Sequence, residues 1–231
     1  MDGSLEAQVK TRDRERWLSV QWAPAALRPA LLSVHALDLE LQHVVTQARE
    51  LMLAEIRLAW WREQLEALAG GAQAPAEPLL QALVENVAAR GVDLAALAGL
   101  ESGFQPLLGN RELQALDLAE ARGRPLFEAL LLLLRGRAAT DGERRAAATA
   151  GTRWALACLW RGGWGRVDDR LRHLSPPAFP PRPTIALPAP LATLDALAMD
   201  DWQRMCKGRM LRRIASPVRQ WKMARAALAS A

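Results

Sequence analysis

Apolar residues in this chain recur at three- and four-residue steps, and nowhere do Val or Ile alternate with polar residues over a sustained run. Steps of three and four gather side chains on one face of a helix, whereas a half-buried strand needs strict alternation. Ala, Leu, Arg and Glu dominate and tyrosine is absent, so propensity and periodicity agree. The expected class is all-α. At 231 residues, one helical domain over 1–231 is expected. A content of 51% hydrophobic and 24% charged residues suits a packed core and excludes a disordered chain.

Glycine and proline divide the pattern. A short helix over 13–21 is expected to stop near Pro24, with Pro24 and Pro29 opening the next element, where a missing N–H is tolerated early. A helix over 50–68 ends at Gly70-Gly71, and others cover 78–89, 93–108, 111–135 and 141–161, with Gly91, Gly109-Asn110 and Gly136 between them. Pro106 and Pro125 should kink or break their helices. The stretch SPPAFPPRPTIALPAP at 175–190 reads as an extended connector. A basic segment at 191–231 follows, with helices over 191–214 and 217–228.

The most telling stretch is LLSVHALDLELQHVVTQARELMLAEIRLAWWREQLEAL, from Leu31 to Leu68. Leu27, Leu31, Val34, Leu37 or Leu41, and Val44 or Val45 make one buried face, while His35, Asp38, Gln42, Thr46 and Arg49 form a second, polar one. This stretch resembles the squalene/phytoene synthase family. Members typically show an aromatic-Ala-Phe entry, a D-x-x-x-D motif one turn later, and a Leu-x-x-Trp-Trp-Arg helix. Here those parts read His35-Ala36-Leu37, Gln42 to Thr46, and Leu58-Ala59-Trp60-Trp61-Arg62. The resemblance extends from Arg12 to Leu228, is shortened after Arg170, and implies the isoprenoid synthase fold. It looks closest to the branch that includes the mitochondrial complex I assembly factor, whose aspartate motifs are eroded.

The resemblance implies a test of chemistry. Enzymes of this kind ionise an allylic diphosphate, and the departing negative charge is met by Mg²⁺ held between carboxylates on two facing helices. The first pair is Gln42 and Thr46 here. The second motif corresponds to the segment from Gly151 to Gly162; Arg161 keeps its arginine, but Gly162 and Arg166 replace both aspartates. Pro106-Leu107 stands where members carry Asp-Leu, and Ala119 or Glu120 where they carry tyrosine. No catalytic residue, metal ligand or cofactor is therefore expected, and the cavity-facing candidates are His35, Asp38, Gln42, Thr46 and Arg161. Under the alternative, a prenyl transferase would use Mg²⁺ through rearranged ligands such as Asp38 or the pair Asp168 and Asp169. Isolated carboxylates on charged helices and loops are more often solvated or salt-bridged.

Other features favour structure over chemistry. His35 and His43 lack ligand spacing. Trp60 and Trp61 point about 100° apart on a helix, so at most one could face a cavity, and both read mainly as packing. Cys158 and Cys206 show no C-x-x-C spacing and are expected to be buried free thiols. The charged start, MDGSLEAQVKTRDRERW, has no apolar core of a signal peptide, so a cytoplasmic location is expected. The apolar run at 129–134 is far too short to span a bilayer.

The net charge is +5 and the pI about 10.2, and the chain carries no acidic residue after Asp201. Arg212, Arg213, Arg219 and Lys222 there lie among Trp221, Met223 and Leu228, a pattern suited to a peripheral position on an anionic inner membrane or to a protein partner. An isoprenoid or lipid in the cavity is a further expected ligand. Nothing marks a specific nucleic-acid partner.

Overall fold

A computed structural model describes residues 4–109, 113–164, 168, 171, 179–181 and 184–230. Among them the secondary structure is helical, without strands. The chain opens with α1 (Leu5–Arg12), capped by the Ser4 hydroxyl, a helix the sequence reading did not anticipate. In α2 (Arg14–Val20), Asp13 is the N-cap and accepts from the Glu15 and Arg16 amides at 3.0 and 3.1 Å. α3 (Arg28–Thr46) carries Pro29 in its first turn, where no intrahelical donor is lost. It is buried on all sides from Ala30 to Leu39 and packs against α1, α2, α4 (Leu51–Ala69), α5 (Pro78–Asn86) and α8 (Ala115–Arg135).

The segment expected as one helix over 93–108 is instead α6 (Leu94–Ala98), a 3₁₀ stretch (Gly99–Gly103) and α7 (Gln105–Leu108). Pro106 explains this, since it is compatible with the first turn of α7 and incompatible with the interior of a longer helix. Pro125 does not break its helix, since α8 runs through it. Losing one backbone bond costs about 3 kcal/mol. Burial of Leu126, Phe127, Leu130 and Leu131, at roughly 1.5–3 kcal/mol per large apolar side chain, outweighs it.

α8 and α9 (Asp141–Arg161) make the most extensive helix pair in the structure. A capping box fixes the start of α9: Glu143 N–H donates to Thr140 Oγ1 at 3.2 Å, and Thr140 N–H to Glu143 Oε2 at 2.9 Å. The two helices touch backbone to backbone. A Cβ on Gly151 would lie 2.1 Å from the Gly123 carbonyl oxygen, and one on Gly123 equally close to that of Gly151.

α10 (Ala189–Cys206) packs against α9 and α2, and α11 (Pro217–Leu228) packs in turn against α10. Arg153 of α9, fully buried, donates to Asp195 of α10 at 2.9 Å and to the carbonyl of Pro181, so the described part of the connector is tied to the body. α10 was expected to reach residue 214. It stops at Cys206 because Gly208, at φ +60°, ends it: Arg209 N–H donates to the Arg204 carbonyl at 2.8 Å and Gly208 N–H to that of Met205 at 2.9 Å. Cys206 at this end is exposed, contrary to the expected buried thiol.

Candidate functional site

A carboxylate at position 38 lies in the part of α3 that has no solvent side, so it must be paired or neutral. It is paired twice. Asp13 caps α2 and also accepts from Arg16 Nε at 3.0 Å, which aims the Arg16 guanidinium inward, where Nη1 donates to Asp38 Oδ2 at 2.6 Å. From α8, Arg122 donates through Nε to Asp38 Oδ1 at 2.8 Å and through Nη2 to Oδ2 at 2.7 Å, a two-pronged contact. Arg122 Nη2 also reaches Gln42 Oε1 at 3.2 Å.

Aromatic rings enclose these cations. The Arg122 guanidinium carbon lies 5.0 Å from the Phe104 ring, 5.0 Å from Trp154 and 5.1 Å from Trp164, and that of Arg16 lies 4.7 Å from Trp154. Trp164 is held by its indole N–H, which donates to the Cys158 carbonyl at 3.1 Å. Two carboxylates, buried Asp38 and partly exposed Asp13, thus balance two buried guanidinium groups.

The electrostatics follow from burial and these pairs. Burial alone would raise the Asp38 carboxyl, but Arg122 and Arg16 outweigh it and hold it well below the usual range. Burial, assisted by Arg16, presses His35 down to about 3, so its imidazole is neutral at physiological pH. Burial pushes the Cys158 thiol up to about 11, which leaves it un-ionised.

His35 therefore takes up a proton on unfolding anywhere between pH 3 and its ordinary value of 6.5. Its contribution to stability is complete above pH 6.5 and is lost as the pH falls toward 3. In urea titrations between pH 6 and 4, a His35→Gln variant should show a stability slope shallower than wild type by about 1.4 kcal/mol per pH unit. Equal slopes would show that His35 is not buried neutral.

The expected cavity-facing set does not converge. Asp38 and Gln42 meet Arg122, and His35 is buried beside Arg16. The Thr46 hydroxyl turns back to the His43 carbonyl at 3.3 Å, and Arg49 lies exposed beyond the end of α3. Arg161 faces the other way, donating to Asp201 through Nε and Nη2, each at 2.8 Å. There it joins a second buried network, in which Arg219 of α11 donates to Asp201 at 2.6 Å and to both oxygens of Glu15. Burial would lower the Arg219 pKa, but Glu15 and Asp201 hold it above the ordinary value.

A cleft beside this network, lined by Glu15, Trp154, Cys158, Arg161 and Asp201, offers about 50 Å³. That admits a few waters, against the roughly 300 Å³ or more of a typical small-molecule pocket. Gly162, at φ +78°, ends α9, and Asp168 accepts from the Trp164 amide at 3.1 Å, a turn-closing role. Arg166 and Asp169 lie outside the described residues. Arg122 was not foreseen. Its signal is a lone arginine on the apolar face of α8, in line with Leu118, Ala119 and Leu126.

These donors do not fit Mg²⁺. Both Asp38 oxygens already accept from guanidinium groups, Gln42 offers a neutral oxygen that Arg122 uses, and α9 ends in glycine. A divalent ion would add two positive charges to a cluster in which Asp13 and Asp38 already balance Arg16 and Arg122. Among the described residues no three His, Cys, Asp or Glu side chains converge.

A profile of the squalene/phytoene synthases matches residues 9–162, which takes in Arg16, Asp38, Arg122 and Trp154. The chain belongs to the squalene/phytoene synthase family. No curated protein and no solved structure matches it. The all-α architecture is that of the family's isoprenoid synthase fold, and the match ends at Gly162, leaving α10 and α11 outside it. No helix among the described residues of this family member is long and apolar enough to cross a membrane.

Proposed function

We propose that this squalene/phytoene synthase family member is non-catalytic and acts as a binding or assembly factor, with a membrane respiratory complex as the object of assembly. One observation carries the first half: the carboxylate that remains on the polar face of α3 is held by Arg16 and Arg122, whose guanidinium groups supply internally the positive charge that Mg²⁺ supplies in a prenyl synthase. The second half rests on the resemblance to the complex I assembly factor branch.

Incubated with Mg²⁺ and farnesyl or geranylgeranyl diphosphate, the purified protein should release no diphosphate and form no condensed product. Mg²⁺-dependent turnover would refute the non-catalytic reading in favour of a transferase with rearranged ligands. Deleting the gene should lower the amount of assembled respiratory complex while isoprenoid content stays level. The reverse pattern would remove the assembly role.

A further inference from the structure

Of the residues expected to face a membrane, three are held by carboxylates of the body. Arg219 is fully buried between Glu15 and Asp201 and cannot touch a bilayer. Arg212 and Lys222 both pair with Asp200, at 3.3 Å each. Of the four residues only Arg213 is exposed.

What replaces them is an exposed apolar stripe on α11. α11 turns Arg219, Met223 and Ala227 inward, a four-residue step, and turns Val218, Trp221, Arg225 and Leu228 outward. The outward four lie within about a quarter of the helix circumference. Trp221 is 58% and Leu228 71% exposed. A helix serving only its own core keeps its apolar residues inside, and here the buried ion network places Arg219 inside beside Met223 and Ala227 and leaves Val218, Trp221 and Leu228 outside.

The bend between α10 and α11 extends the same chemistry. Met210 is 87% and Ile214 53% exposed, flanked by exposed Lys207, Arg209 and Arg213. The glycine stop at Gly208 and a hydrogen bond from Arg204 Nε to the Met210 carbonyl at 2.7 Å hold the bend in place. The Ala215 amide, donating to Glu15 Oε1 at 2.8 Å, anchors its far end.

Charge identifies the occupant. Asp200 and Asp201 are buried and neutralised, and no acidic residue follows them. Lys207, Arg209, Arg213 and Arg225 form no ion pair among the described residues. We infer that the bend and the outward stripe of α11 together form a docking surface for an anionic phospholipid bilayer. Met210, Ile214, Val218, Trp221 and Leu228 enter the interfacial region, and the exposed cations meet lipid phosphates. Apolar side chains on a bend and a helix, ringed by cations with no carboxylate, match a fluid anionic interface.

Flotation of the full chain tests this, using phosphatidylcholine vesicles with about one-third phosphatidylglycerol at low salt. The protein should float with them, stay at the bottom with pure phosphatidylcholine, and detach at about 0.5 M salt. Arg209→Glu with Arg213→Glu, and separately Met210→Ser with Trp221→Ser, should each lower the bound fraction on the order of tenfold or more, with unchanged circular dichroism. Lys10→Glu with Arg57→Glu makes the same change in net charge elsewhere and should leave flotation intact.

The inference is overturned if wild type does not float, if neutral vesicles bind as well, or if the Lys10 and Arg57 variant loses as much. It is equally overturned if the bend variants spare flotation and instead abolish capture of a protein partner.

Discussion

An Asp38→Ala protein is expected to lose about 3–5 kcal/mol of stability, the usual cost of removing one partner from a buried ion cluster. The truncation leaves Arg122 without its carboxylate and Arg16 with Asp13 alone, while both guanidinium groups stay buried. Asp38→Asn should cost a similar amount, because an amide keeps the shape but loses the charge. Adding Arg16→Met and Arg122→Met to Asp38→Leu should recover much of the loss, since a buried ion cluster is often no better than well-packed apolar residues. Urea unfolding midpoints check all three; a loss below about 1 kcal/mol for Asp38→Ala would show that the cluster does not hold α2, α3 and α8 together. The pH dependence has a definite sign. The native carboxyl lies below its unfolded value, so its contribution is complete above the ordinary carboxylate range and is lost as acid titrates the folded form.

The second large effect is steric. Gly151→Val should lower stability by about 3 kcal/mol or more, at the upper end for overpacking, because the new Cβ meets the Gly123 carbonyl oxygen at 2.1 Å. That atom is backbone of a packed helix and cannot rotate away. For a chain of this size, the melting temperature should fall by roughly 6–12 °C. Gly99→Ala is the matched control: a Cβ there meets nothing within 4 Å, so it should be neutral or slightly stabilising. Equal melting temperatures for the two variants would mean that α8 and α9 are not in backbone contact.

Both effects bear on what a reader of the sequence could know. The ends of α9 and α11 coincide with the expected ranges 141–161 and 217–228, because Thr140 with Glu143, Gly162, and Ser216-Pro217 are local signals. The end of α10 has such a signal too: Gly208 followed by Arg209 is a glycine stop, masked in the sequence by the basic pattern that continues past it. The loss at Gln42 and Thr46 was legible in five residues of chain. Its structural counterpart was not, since Arg122 lies 84 positions from Asp38, and no local pattern reports a pairing at that distance. Arg219 was misplaced for a related reason. Charge counted along a segment says nothing about which side of the helix each cation occupies, and that side was decided by Glu15, 204 positions away.

That last separation has a consequence for how the molecule is made. Closing a longer loop adds little free energy, about 0.6 kcal/mol per doubling of its length, so the finished protein is almost indifferent to it. Synthesis is not. Residues emerge from the ribosome in order, and Glu15 must wait for residue 219 before its partner exists. The family-matched portion, ending at Gly162, emerges with that carboxylate still unmatched. α11 is thus the clasp of the structure, fastened only after the 204 positions that separate Arg219 from Glu15 have been made, and the same fastening turns its apolar stripe outward.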